Sequence, residues 1–214
     1  MRYRKVPDET IKRLPLYVRH LQLLMKEGRS NIRSNEFADS LGINPAQVRK
    51  DLSFFGSLGT PGVGYDIKKL LRQLRDILKL KNTNKTALIG VGDLGSAMLG
   101  YLGFSRLSFE IVAAFDSNPK KIGKIKNNVT IEDISKLNTL KRRGIRIAII
   151  AVPPKAAQQT ADKLVEAGVS GILNFAPCYL MVPKKIKVIS VDIAMYLAYL
   201  PYYLPYEQSG KAKV

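Results

Sequence analysis

Hydrophobic and polar positions change period near residue 80. Before it, the spacing is helical. In LPLYVRHLQLLMKEG, Leu14, Tyr17, Val18, Leu21, Leu24 and Met25 recur every three or four residues, so one helix is predicted there, with Thr10 as its cap and Gly28 as its end. Ser34 opens SNEFADSLG, a short helix turning Phe37, Ala38 and Leu41 inward and ending at Gly42. Asn44 then caps PAQVRKDLSFF, with Pro45 at the first helical position and Gln47 placed for a capping box. Residues 56–65, GSLGTPGVGY, hold four glycines and a proline, which predicts a turn-rich loop. IKKLLRQLRDILKL is again amphipathic, with Ile67, Leu70, Leu71, Leu74, Ile77 and Leu78 on one side.

KNTNK, residues 81–85, is polar and has the composition of a linker. Beyond it, short apolar runs alternate with helical stretches. TALIGV, FEIVAAF, IRIAIIAV, GILNF and KVISV read as five buried strands; IEDISKLNTLKRR and KAAQQTADKLVEAG read as helices. That alternation predicts an α/β fold with a doubly wound parallel sheet. DIAMYLAYLPYYLPY reads as a last helix interrupted by Pro201 and Pro205, and residues 207–214 as a flexible tail.

The strand TALIGV runs directly into a glycine motif. Gly90, Gly92 and Gly95 give G-x-G-x-x-G at a strand-to-helix turn, the context in which the motif carries weight. Its glycines permit the tight turn, the approach of a pyrophosphate and close helix–strand packing, and the helix N-terminus faces the phosphates. Asp116 ends the second strand, 21 residues past Gly95, where a carboxylate accepts from an adenosine ribose and repels a 2′-phosphate. NAD(H) is therefore favoured, although Lys120 and Lys121 work against that preference. The alternatives are a turn that serves packing alone and a site for another nucleotide such as coenzyme A. AVPP (151–154) and NFAP (174–177) end two further strands, where loops of such sheets line the ligand crevice.

Charge and composition narrow the partners. The 214 residues carry 35 Lys and Arg against 17 Asp and Glu, net +18. Residues 1–85 hold 18 against 8, net +10, and residues 86–214 hold 17 against 9, net +8, so both parts are basic. Such an excess favours polyanions. The apolar runs are too short to span a membrane, the N-terminus lacks a signal-peptide core, and a single cysteine makes no internal disulfide; a cytoplasmic protein is expected.

An evident catalytic set is missing. His20 lies far ahead of the glycine motif and reads as a packing or surface residue. Tyr65 and Lys69 have Tyr-x-x-x-Lys spacing but precede the nucleotide strand, and Cys178 reads as an inert thiol. This favours sensing over turnover, with an NAD-dependent oxidoreductase kept as the rival. The front part, two short helices, a capped helix and a glycine-rich loop, suggests a winged helix-turn-helix. Its helix 45–55 would enter the major groove, with Gln47, Arg49, Lys50 and Ser53 toward bases and phosphates, and residues 57–64 would form the wing. A helical cap domain with solvated charges is the alternative.

RLPLYVRHL, LGINPAQVRKDLSFFGSLGTPGVGYDI, LIGVGDLGSAML, FEIVAAFDSNPKKIG, AVPPKAAQQTADKLVEAGVSGILNFAP and VDIAMYLAYL together resemble the Rex family of redox-sensing transcriptional repressors, over about residues 5–205. The resemblance implies a homodimer that binds an inverted-repeat operator in double-stranded DNA when NADH is low and releases it when NADH rises. It implies a winged-helix domain over residues 1–80, a linker at 81–85, a Rossmann domain for NADH and NAD+ over 86–190, and a swapped C-terminal helix over 191–206. It assigns Gly90, Val91, Gly92, Asp93, Leu94, Gly95, Asp116, Val152, Pro153, Asn174, Phe175, Ala176 and Pro177 to the cofactor. Gln47, Arg49, Lys50, Ser53, Gly59, Thr60, Gly62 and Tyr65 are assigned to DNA, and Arg13, Tyr101 and Asp192 to the switch between the two. FDSNP departs from the family's more acidic FDxDP at Asn118, and Tyr196 stands where an acidic residue is expected.

Overall fold

The computed structural model describes residues 6–60 and 62–204. It divides into two units, residues 1–83 with 103–108, and residues 84–102 with 109–214.

The first unit is helical. Helix α1 (Asp8–Lys26) is followed by strand β1 (Asn31–Ile32), helices α2 (Ser34–Asp39) and α3 (Pro45–Ser53), strand β2 (Tyr65–Asp66) and helix α4 (Ile67–Ile77). The apolar stripes meet as their spacing predicts: Leu14, Tyr17, Val18 and Leu21 of α1 join Phe37, Val48, Leu52, Leu70 and Leu74 in one core. Asn44 caps α3 by accepting from the Ala46 N–H at 2.8 Å, and Asp66 caps α4 by accepting from the Lys69 N–H at 2.7 Å. Strands β1 and β2 pair antiparallel, Ile32 opposite Tyr65, and anchor the glycine-rich loop between α3 and α4.

Three local expectations fail. Thr10 does not cap α1, which begins at Asp8 behind Pro7; the Thr10 side chain is buried and its hydroxyl donates to Asp51. Helix α2 opens at Ser34 as read, but it ends at Asp39 with Ser40, not Gly42, as its C-cap. Gln47 makes no capping box, because its amide donates to the Asp51 carboxylate.

The second unit is a seven-stranded sheet. Its elements are β3 (Asn84–Ile89), α5 (Asp93–Leu99), β4 (Phe109–Asp116), β5 (Ile125–Lys126), β6 (Val129–Asp133), a 3-10 turn (Ile134–Thr139), β7 (Ile147–Ile150), α7 (Pro154–Glu166), β8 (Gly171–Asn174), β9 (Lys187–Ser190) and α8 (Ile193–Tyr203). The short helix α6 (Gly103–Arg106) falls in the excursion 103–108, which belongs to the first unit. Strand order is β5-β6-β4-β3-β7-β8-β9, all parallel except β5. The order runs outward in both directions from β3, so its junction with β7 is the topological switch point, where a crevice opens beyond the strand ends.

The stretch IEDISKLNTLKRR, residues 131–143, is not one α-helix: Ile131–Asp133 complete β6 and only Ile134–Thr139 are helical, as a 3-10 helix. Val129, Thr130 and Ile131 are β-branched and enter the sheet as β6, while β5 reaches it through a hairpin whose turn residues, Asn127 and Asn128, have φ of 46° and 63°. Asparagine tolerates that left-handed region, as a tight hairpin requires. The last helix runs through Pro201 to Tyr203, so Pro201 does not end it. Pro205 and the tail lie outside the described residues.

Candidate cofactor cleft and nucleic-acid face

The glycine motif forms the turn from β3 into α5. Gly90 has φ of 90°, and a Cβ there would lie 2.5 Å from the Ala151 carbonyl oxygen, so backbone conformation and the neighbouring strand end both require glycine. A Cβ on Gly95 would overlap the Gly90 carbonyl oxygen. Gly92 differs: a Cβ there would meet nothing within 4 Å, so the glycine leaves open space in front of the helix N-terminus. The motif's second glycine is thus required by no contact inside the protein.

A cavity of about 530 Å³ opens at this turn, lined among others by Gly90, Gly92, Asp116, Val152 and Pro153. The switch-point crevice therefore brings together the glycine turn, the end of β4 and the loop after β7. Asp116 is almost fully buried and already bonded. Its Oδ2 accepts from the Val91 N–H at 2.9 Å and from Lys121 Nζ at 3.2 Å, and its Oδ1 accepts from the Asn118 N–H at 2.8 Å. Burial by itself raises this carboxyl; the Asn118 and Val91 N–H groups and the Lys121 ammonium outweigh it and hold the group below its ordinary value. Asp93 and Leu94 begin α5 and are exposed. Ser117, Lys121, Gln159 and Lys163 also line the cavity; of these, sequence spacing pointed only to Lys121.

Asn174 ends β8 and Phe175, Ala176 and Pro177 follow it; none of the four is among the residues lining this cavity. The Asn174 amide is buried and engaged locally: Nδ2 donates to the carbonyls of Ala176 and Cys178 at 3.0 and 3.1 Å, and Oδ1 accepts from the Ala176 N–H at 3.0 Å. It shapes its own turn and holds no spare donor for a ligand. Cys178 is half-buried, its Sγ 4.0 Å from the Pro154 carbonyl oxygen. Asp192 caps α8, accepting from the Ala194 and Met195 N–H groups at 3.0 and 3.4 Å, and Tyr101 is exposed.

In the first unit, α3 presents Arg49, Lys50 and Ser53 outward while Val48, Asp51 and Leu52 face the core. Arg49 donates to the Ser34 hydroxyl at 3.2 Å, which ties it to the start of α2, and the Ser53 hydroxyl donates back to the Lys50 carbonyl at 2.8 Å. The loop closes as a hairpin tip, with Thr60 and Gly64 exchanging backbone hydrogen bonds of 2.9 and 3.0 Å. A Cβ on Gly59 would press on the Tyr65 ring at 2.6 Å, which keeps the wing flat against that buried ring. Gly62, with φ of 76°, turns the tip.

A concave surface of about 420 Å³ is lined by Arg49, Ser53, Gly59, Thr60, Gly62 and Tyr65 among others, so six of the eight residues assigned to DNA share it. Gln47 and Lys50 are not in that lining. Arg33, Ser34 and Asn35 are, and sequence reading missed them because they lie at the start of the preceding helix. Tyr65 belongs to this unit, and His20 stacks on Phe37 with centroids 5.6 Å apart, a packing residue as expected. Arg13, assigned to the switch, pairs here with the buried Asp51.

Two family models match the chain. Residues 81–178 match the "CoA binding domain" family and residues 5–53 the "Putative DNA-binding protein N-terminus" family. The redox-sensing transcriptional repressor Rex of Roseiflexus sp. (strain RS-1) is 44% identical over 204 residues, spanning 95% of this chain and 93% of that protein. This chain belongs to the Rex family. The Rex of Carboxydothermus hydrogenoformans is 46% identical over 199 residues, 92% of this chain and 96% of that one. Among solved structures, the Rex-family repressor RSP in complex with β-NAD+ and operator DNA superposes with a TM-score of 0.88 at 35% identity, over 94% of this chain and 93% of that chain. RSP in complex with β-NADH gives 0.84 at 34% identity, over 94% of each. The curated relatives are redox-sensing transcriptional repressors. The match to the coenzyme A model covers the Rossmann-like fold; the full-length relatives are Rex proteins.

Proposed function

We propose that this chain is a cytoplasmic, homodimeric transcriptional repressor that binds an inverted-repeat operator when NADH is scarce and releases it when NADH binds. The observation that carries the reading is the pairing of two sites in one Rex-family chain. One is a basic, concave winged-helix face; the other is a glycine-turn cleft at a sheet switch point. The similarity to RSP, solved with β-NAD+ and operator DNA, spans both.

Arg49 and Lys50 act on the operator from the exposed side of α3, and Thr60 and Gly62 from the wing. Gly90, Gly92 and Gly95 let the dinucleotide pyrophosphate reach the N-terminus of α5, with Asp116 at the adenosine ribose. Val152, Pro153 and the segment 174–177 border the nicotinamide side through backbone and position. NAD+ and NADH differ in charge and planarity at that ring, and only a difference in affinity between two dimer shapes can shift the balance. Arg13, Tyr101 and Asp192 are the residues through which the ring state reaches the DNA-binding unit.

Helix α8 supports a dimer. Among its described side chains none is buried, and Ile193, Leu197 and Leu200 are each more than half exposed. An apolar helix of this kind needs a partner surface, and a second copy supplies it as the swapped C-terminal helix. Among the described residues no helix is long and apolar enough to cross a membrane.

Fluorescence anisotropy of an inverted-repeat duplex, at one fixed salt concentration, tests the reading. Titration with NADH releases the duplex, and NAD+ does not. Tight binding indifferent to both nucleotides would refute it.

A further inference from the structure

The chain passes between the two units at residues 83–84, 102–103 and 108–109. Each passage joins an element that reaches the cofactor cleft. Strand β3 runs from Asn84 toward Gly90, α5 runs from the glycine turn to Leu99, and β4 runs from Phe109 to Asp116. Gly90, Gly92 and Asp116 all line that cleft. The two strands also start side by side, with Asn84 opposite Phe109.

Inside the first unit, one side chain ties the approaches to both strands together. Arg75 lies in the last turn of α4 and is half-buried. Its Nη2 donates to the Leu80 carbonyl at 2.8 Å and to the Ser108 hydroxyl at 2.7 Å. One guanidinium nitrogen of this kind carries two hydrogens, so both bonds form at once. The Arg75 carbonyl in turn accepts from the Leu80 N–H at 2.7 Å. Residues 103–108 have two further attachments to the same unit: Leu107 packs on its core, and the Gln22 amide donates to the Arg106 carbonyl at 3.3 Å. Ser108, directly before β4, has φ of 61°, a left-handed conformation that a serine keeps only where its surroundings hold it.

We infer that Arg75 is a positioning residue for nucleotide-driven release of DNA. It clamps the approaches to β3 and β4 onto α4, so a displacement at the glycine turn is carried into the helical unit. The inference rests on the repressor reading above. Without the clamp, Ser108 is released from α4, and the turn before β4 takes up the displacement together with the polar linker before β3. The nucleotide and the operator then each bind, but neither alters the affinity for the other, because coupling between two sites needs an element that both of them bias.

The test measures operator affinity with and without saturating NADH, and NADH affinity without DNA, at one salt concentration. The full-length natural chain is compared with Arg75→Met, Ser108→Gly and the double variant. Methionine keeps the apolar stem of the arginine without its donors, and glycine removes the hydroxyl while accepting the left-handed backbone. In the natural chain NADH weakens operator binding by about 5–150-fold, the usual range of coupling between two sites. Each single variant lowers that factor by at least about fivefold, while operator affinity without NADH and NADH affinity without DNA stay within about threefold of the natural chain. The double variant is no worse than Arg75→Met alone, since both changes remove the same bond. A release factor that both single variants leave in place overturns the inference. So does a factor that falls only in step with NADH or operator affinity, which marks a general structural role. A natural chain that binds the operator and ignores NADH removes the repressor reading itself, and this inference with it.

Discussion

Arg13 grips the carboxylate of Asp51 in a two-point pair, Nε to Oδ2 at 2.6 Å and Nη2 to Oδ1 at 2.8 Å. Asp51 is fully buried, on the core side of the helix whose other side carries Arg49 and Lys50. The Thr10 and Tyr17 hydroxyls and the Gln47 amide donate to the same carboxylate at 2.8, 2.7 and 2.8 Å. Such a charge is tolerated in a core only when its acceptor positions are filled this completely. The cluster clamps α3 to α1, and a residue assigned to the switch is its charged partner.

Removing Arg13 leaves an uncompensated buried charge. Arg13→Met should destabilise the first unit by about 3 kcal/mol, the low end for breaking a buried pair. Urea unfolding followed by circular dichroism measures it. Arg13→Met combined with Asp51→Leu should recover much of that loss, since it removes both charges together; a double variant no better than the single would show that the pair is not the source of the effect.

Acid should expose the same cluster. Burial would raise the Asp51 carboxyl, but hydrogen bonds from Arg13, Tyr17, Thr10 and Gln47 hold it down at about 2 against an unfolded value of 3.8. A folded pKa below the unfolded one gives stability that is complete above pH 4 and lost as pH falls toward 2. The loss is about 2 kcal/mol. Stability measured from pH 5 to 2 should show this limb, and Asp51→Asn should flatten it.

The exposed side of α3 should act on DNA alone. Arg49→Ala or Lys50→Ala should weaken operator binding by about 1–3 kcal/mol for a base contact, or lower the salt slope by about 1 for a phosphate contact. NADH titration of the same variants should match the natural protein. Unchanged operator affinity in both would reject α3 as the recognition helix.

Two glycines of the cofactor turn should separate folding from binding. Gly92→Val places its side chain in open space, so the melting temperature should hold while NADH-driven release of DNA is lost. Gly95→Ala drives a methyl into the Gly90 carbonyl, so it should lower the melting temperature by several degrees before any nucleotide is added. Calorimetry and the anisotropy assay read the two effects independently.

The sequence by itself determined what short spacings encode. Apolar period separated a helical front from a strand–helix alternation, Asn44 marked a helix start, and Gly90 and Gly95 marked backbone that no other residue fits. Each signal acts through the residue's own dihedrals or through neighbours within a turn. Tertiary structure decided what side chains do when distant segments meet. Thr10, Arg13 and Tyr17 converge on Asp51 across 41, 38 and 34 residues, and that convergence turned an expected cap into a ligand of a buried carboxylate. It also turned Gln47 from a capping-box partner into a core donor and drew residues 103–108 into the first unit. Residues 131–133 became strand where their pattern suggested helix, because the edge of the sheet beside β4 offered them backbone partners. Hydrogen-bond satisfaction of a buried charge and of a sheet edge are properties of the assembled fold, and no local pattern of residues carries them.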